Sequence, residues 1–204
     1  MNYFYLLFLD HMMEKSLSPQ VIVDEVFALY EAHGNDDYIG EPVSQLEHMS
    51  QAANLAFAEG YDDEVILAAF FHDIGHLCAA GSAVESMDGM GNVNHEQIGA
   101  DYLLACGFST RVAKLVNGHV IAKRYLTYKY PEYFDKLSPA SLVTLGFQGG
   151  PMNALEAAAF ETDPDLDIII RMRFWDDEAK LTEIPVDNIN QLKAIAIAHL
   201  SNHE

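Results

Sequence analysis

The stretch Asp62-Asp63-Glu64-Val65-Ile66-Leu67-Ala68-Ala69-Phe70-Phe71-His72-Asp73-Ile74-Gly75-His76 decides how this chain is read. Asp62 is a good helix N-cap, and the run from Val65 to Phe71 is apolar on every side, the pattern of a helix buried all round. An imidazole and a carboxylate, His72 and Asp73, follow it directly. Burying the two side by side costs free energy unless something pairs with them, and a divalent metal ion is an effective partner. The dipeptide by itself is common and is equally served by ordinary hydrogen bonds.

The helical period continues on both sides of this stretch. Ser18-Pro19 opens a helix carrying Val23, Val26, Phe27 and Tyr30 that stops at Gly34. A loop from Asn35 to Pro42 leads to a second helix, about Val43 to Glu59, with Gly60 as its stop. The segment Ala79 to Gly91 reads as a loop before a helix that starts near Asn94. Further helices are predicted over Ser109–Lys123, Ser138–Gln148, Met152–Phe160, Pro164–Asp176 and Asn188–Leu200. No stretch alternates as a strand would, and no repeat or low-complexity tract interrupts the pattern. The expected fold is therefore all-α, a single helical bundle over residues 17–204 preceded by an apolar arm, residues 1–16. The arm's Met1 to Leu9 lacks a basic flank, a cleavage site and the length to span a bilayer, so it is expected to pack or stay poorly ordered.

With 204 residues, half of them apolar, the chain suffices for one core. Eleven basic against thirty-one acidic residues give a formal charge of -20, which argues against nucleic acid and against an anionic membrane. Two cysteines, Cys78 and Cys106, are too few for a disulfide framework, and neither has metal-ligand spacing; a reducing cytoplasm fits.

Nine histidines remain to be explained. His48, His95, His119 and Asp176 each lie on a predicted helix in a register able to face inward. With His72 and Asp73 they make four histidines and two aspartates, enough for two metal ions if Asp73 bridges. Nitrogen and oxygen donors without thiolate favour Fe, Mn, Co or Zn. For one histidine alone, a core or surface side chain is the better reading; taken jointly, six donors defeat it. His11, His33, His199 and His203 fit no such pattern. Lys123 is four residues after His119, Arg173 three before Asp176, and His76 four after His72 and three after Asp73, so each lies one helical turn from a ligand, with Gly75 a candidate helix stop before His76. Solvated surface charge is the plain alternative for Lys123 and Arg173. Facing inward, they would give an acidic protein a locally cationic mouth that suits a phosphonate or phosphate. Gln45 and Ser141 are candidate polar contacts beside them.

The ordered set His48, His72-Asp73, His95, His119, Asp176 resembles the HD-domain superfamily over roughly residues 18–200. The segments Tyr38-Ile39-Gly40-Glu41, His72-Asp73-Ile74-Gly75-His76, Asn94-His95-Glu96, Gly118 to Lys123 and Leu145 to Met152 resemble its mixed-valent diiron oxygenases. These include myo-inositol oxygenase and, closer to this chain, enzymes acting on phosphonates. The resemblance implies two iron ions held by His48, His72, Asp73, His95, His119 and Asp176, with O2 as co-substrate. It implies cleavage of the carbon–phosphorus bond of 2-amino-1-hydroxyethylphosphonate to glycine and phosphate. An upstream enzyme that hydroxylates 2-aminoethylphosphonate would be the pathway partner. Tyr38, Glu41, His76 and Lys123 would serve catalysis, and Gln45, His76, Lys123, Ser141 and Arg173 would hold substrate. The loop tyrosine would occupy an iron position until substrate displaces it, and Glu41 would recognise the amino group. A metal-dependent HD phosphohydrolase would share every ligand but has no evident need of Tyr38, Glu41 or His76. A retired HD domain serving as a binding module would have no reason to keep all six.

Overall fold

The computed structural model describes residues 17–38, 40–80, 87 and 91–202. The apolar arm and most of the predicted loop before Asn94 fall outside them. Among the described residues the fold is all-α, as the periodicity predicts, with one isolated bridge between Asp37 and Ser44. None of these helices is long and apolar enough to cross a membrane.

The first helix, α1 (Pro19–His33), begins where the Ser18 side chain accepts the Val21 N–H, and buries Val23, Val26, Phe27 and Tyr30. In α2 (Gln45–Ala58), a capping box between Ser44 and Glu47 fixes the first turn. Helix α3 (Asp63–Phe71) starts on the Asp62 cap and buries every residue from Val65 to Phe71. Its aromatics meet α1, with Phe27 and Phe70 stacked at 5.5 Å and Tyr30 and Phe70 at 4.6 Å. The helix then ends: His72 and Asp73 form the junction, and the chain turns helical again as α4 (Ile74–Cys78).

Next come α5 (His95–Ala105) and α6 (Thr110–Lys129). The latter runs six residues beyond its predicted end because Tyr125 and Leu126 prolong the buried face. It is central, packing against both α3 and α5. A short α7 (Pro131–Phe134), which the sequence pattern does not reveal, leads to α8 (Pro139–Phe147) and α9 (Ala154–Phe160). Helix α10 (Leu166–Glu178) crosses both α6 and α2, and α11 (Ile189–Asn202) closes the bundle against α1 and α3.

Gly75 does not end a helix. It lies inside α4, where a Cβ would stand 1.9 Å from the His95 carbonyl oxygen and 2.9 Å from the Gly99 nitrogen. The absent side chain lets α4 touch α5, which fixes Asp73 relative to His95. Gly75→Ala is expected to lower stability by roughly 3 kcal/mol, at the upper end of overpacking costs because the contact is backbone rather than side chain. A thermal melt checks this; an unchanged midpoint would mean that α4 and α5 separate freely.

Candidate metal centre

Six side chains from five places in the chain converge beneath the bundle's core, all buried: His48, His72, Asp73, His95, His119 and Asp176. The four histidines form two facing pairs. His48 and His72 bring their Nε2 atoms to 3.0 Å, and His95 and His119 do the same at 3.0 Å. In each ring the other nitrogen is spent on a backbone carbonyl. His48 Nδ1 donates to Ala179 at 2.9 Å, His72 to Ala69 at 2.8 Å, His119 to Val116 at 2.8 Å and His95 to Asn92 at 3.2 Å. A proton on Nδ1 leaves the Nε2 lone pair free, so each pair aims two lone pairs at one point. Carbonyl partners of this kind orient metal-binding imidazoles.

Asp73 lies between the pairs. Its Oδ2 is 3.4 Å from His72 Nε2 and 3.7 Å from His48 Nε2. Its Oδ1 is 3.2 Å from His95 Nε2 and 3.4 Å from His119 Nε2. One carboxylate thus offers one oxygen to each half, the arrangement of a bridge. Asp176 joins the first half through Oδ1, 3.5 Å from His48 Nε2, while its Oδ2 accepts from Arg173 at 2.6 Å.

These donors suit cations. Asp176 Oδ1 is buried with no hydrogen-bond partner, and converging lone pairs repel unless a positive charge lies between them. The same demand shows in the protein's own protons. Burial disfavours charge on His72, yet the Asp73 carboxylate carries its pKa up to about 9, while burial, with His72 beside it, drives His48 down to about 4. Burial also opposes charge on Asp73, but the surrounding imidazoles hold it well below the usual carboxylate range. The donors are nitrogen and oxygen, and both cysteines are free thiols outside the set. The residues fit two borderline ions of the iron, manganese, cobalt or zinc kind.

A cavity of about 50 Å³ opens over this centre, and its wall holds every predicted contact residue: Tyr38, Glu41, Gln45, His76, Lys123, Ser141 and Arg173. Lys123 and Arg173 are each 3% exposed, which removes the solvated-surface alternative. Burial, reinforced by Arg173, pushes the Lys123 ammonium down to about 7, and its Nζ donates to Thr144 Oγ1 at 2.9 Å. Arg173 is held by Asp176, by Asp177 and by the Tyr133 hydroxyl at 2.9 Å; Ser141 Oγ is 3.5 Å away. His76 stacks on His95 at 4.0 Å, and its Nδ1 accepts the Asn92 N–H at 3.2 Å, which leaves the proton on Nε2. Burial drives this imidazole down to about 3, so it stays neutral.

Tyr38 lies flat on the His48 ring, 3.9 Å between centroids. Burial raises its phenol pKa, and the carboxylates of Asp73 and Asp176 add to the rise. The turn that presents it is closed by the Glu41 N–H on the Tyr38 carbonyl at 2.9 Å, with Gly40 at φ 80°, a left-handed position that glycine takes without strain. Three polar side chains of the wall are not among the predicted site residues: Thr144, Gln148 and Lys180. The first two fall on the predicted helix that carries Ser141, Thr144 one turn after it, and Lys180 follows the helix that carries Asp176. The histidines set aside are accounted for where described: His33 faces Asp36 at 3.5 Å and His199 accepts the Ser109 N–H at 3.1 Å. His11 and His203 lie outside the described residues.

The fold and the centre together define an all-α protein whose buried histidine–aspartate set could hold two cations beside a wall that carries Lys123 and Arg173. No family model matches the chain. It is 40% identical over 163 residues to [1-hydroxy-2-(trimethylamino)ethyl]phosphonate dioxygenase (glycine-betaine-forming) of Leisingera caerulea, covering 80% of this chain and 82% of that one. It is 37% identical over 176 residues to hydroxymethylphosphonate dioxygenase of Gimesia maris, covering 86% and 87%. It is also 43% identical over 179 residues to the uncharacterized protein L432 of Acanthamoeba polyphaga mimivirus, covering 88% and 82%. The chain belongs to the phosphonate dioxygenase family.

Proposed function

We propose that the protein is an O2-dependent dioxygenase that cleaves the carbon–phosphorus bond of 2-amino-1-hydroxyethylphosphonate to give glycine and phosphate. The observation that carries this reading is the burial of Lys123 and Arg173 in the wall of a cavity that opens onto a two-sided donor set. The family membership fits it. The reaction balances with one O2: C1 passes from alcohol to carboxyl, the C–P bond breaks, and one oxygen atom enters each product. Iron, held by His48, His72, Asp73 and Asp176 on one side and by Asp73, His95 and His119 on the other, would supply the redox chemistry with O2.

The chain's own groups bind and orient. Lys123 and Arg173 hold the phosphonate oxygens by charge-assisted hydrogen bonds, with Ser141 beside Arg173. His76, neutral and protonated at Nε2, donates to an oxygen of the substrate. Gln45 Oε1, buried with no partner, accepts from a substrate O–H or N–H. Tyr38 covers His48 and helps keep water from that half of the centre, and Glu41 is the wall's carboxylate outside the donor set.

The test is anaerobic loading with Fe(II), addition of the aminophosphonate, and measurement of O2 uptake with glycine and phosphate release. One O2 consumed per glycine is the expected result. Turnover of a phosphomonoester without O2 uptake would instead make the centre hydrolytic.

A further inference from the structure

We propose that Lys180 sets which phosphonates the site accepts, by holding Glu41 in an ion pair that a substrate ammonium must break. The inference rests on the reading just given and concerns the end of the substrate remote from phosphorus.

Lys180 Nζ donates to Glu41 Oε1 at 2.8 Å, and the two side chains are only 14% and 12% exposed. Both line the cavity over the metal donors, and the same ammonium lies 5.9 Å over the Tyr38 ring. Among the residues lining that cavity, Glu41 is the carboxylate that neither Asp73 nor Asp176 accounts for, and so the natural partner for a cationic substituent. Lys180 already satisfies it. A substrate ending in an ammonium therefore exchanges one ion pair for another, whereas a substrate ending in a neutral group leaves the pair intact.

The surroundings allow the exchange. On one side of Lys180 the Ala179 carbonyl is tied to His48, and on the other the Leu181 N–H donates to Gln51 Oε1 at 3.1 Å. The backbone is thus fixed to α2 while the side chain is held at its tip by Glu41. Lys180 also lines a second, larger cleft of about 640 Å³, together with Asp177 and Glu178. An ammonium released from Glu41 has both the space and the carboxylates to receive it there. Lys123 and Arg173, which hold the phosphonate end, do not take this role: the first bonds Thr144, the second Asp176, Asp177 and Tyr133, and neither bonds Glu41.

The experiment compares two substrates on the Fe-loaded protein: 2-amino-1-hydroxyethylphosphonate, and (1-hydroxypropyl)phosphonate, which carries a methyl group where the first has its ammonium. Any effect of residue 180 on the shared phosphonate cancels in the ratio of the two kcat/KM values. Lys180→Met should raise the preference for the ammonium substrate on the order of tenfold, one broken ion pair's worth of discrimination. Lys180→Arg, which keeps the pair, should retain the wild-type ratio. A merely structural role would lower both constants together, and an unchanged ratio in Lys180→Met overturns the proposal. If the wild type turns over neither compound, the proposed function fails. The proposal is then decided by the ratio of the two dissociation constants, measured by calorimetry without O2, where again an unchanged ratio overturns it.

Discussion

Asp73→Asn is expected to empty both halves of the centre: bound metal, measured by elemental analysis, should fall from two ions per chain to below one. O2-dependent phosphate release should drop by at least about a thousandfold, the rate equivalent of roughly 4 kcal/mol. The reason is geometric. Oδ1 faces the His95–His119 pair at 3.2 and 3.4 Å, and Oδ2 faces the His72–His48 pair at 3.4 and 3.7 Å. Removing the charge takes a ligand from each half and also the anion that separates two neighbouring cations. The amide is nearly isosteric, so the fold survives and the loss is read as a binding loss. His119→Ala touches one half alone and should leave one ion. Retention of two ions by Asp73→Asn would show that the carboxylate is not shared.

Arg173→Met should be costly in two ways at once. The guanidinium is 3% exposed and neutralises Asp176 and Asp177, so its loss leaves the buried Asp176 carboxylate without its cation, at roughly 3–5 kcal/mol of unfolding free energy, while the partly exposed Asp177 keeps the Tyr133 hydroxyl. The phosphonate loses a charge-assisted contact in the same step, and KM should rise about a hundredfold. Lys123→Met supplies the contrast. That ammonium has one hydroxyl partner at 2.9 Å, and burial has already drawn it down to about 7. Replacing it should leave stability unchanged or slightly higher while still raising KM about a hundredfold. Urea melts and steady-state kinetics on both variants check the pair. Equal destabilisation by the two would mean that Arg173 does not hold a network.

The sequence determined most of the helices, the order of the candidate donors along the chain and the basic side chains one turn from His119 and Asp176, because each is a local property. An apolar run such as Val65 to Phe71 has its period written into it, and Lys123 shares a face with His119 whatever the rest of the chain does. Chain-local reasoning misplaced only details, such as Gly75, whose role is a contact with His95 rather than a helix stop. What the tertiary structure decided is the pairing. His48 meets His72 and His95 meets His119 only because α2 packs on α3 and α5 on α6. Those crossings place Asp73 with one oxygen toward each pair. They also give each Nδ1 a carbonyl partner, and for His48 that partner is Ala179, 131 residues away. The bond between Glu41 and Lys180 spans 139 residues. No periodicity carries such information, since hydrogen bonds and ion pairs between distant segments depend on where helices cross rather than on which residues follow one another.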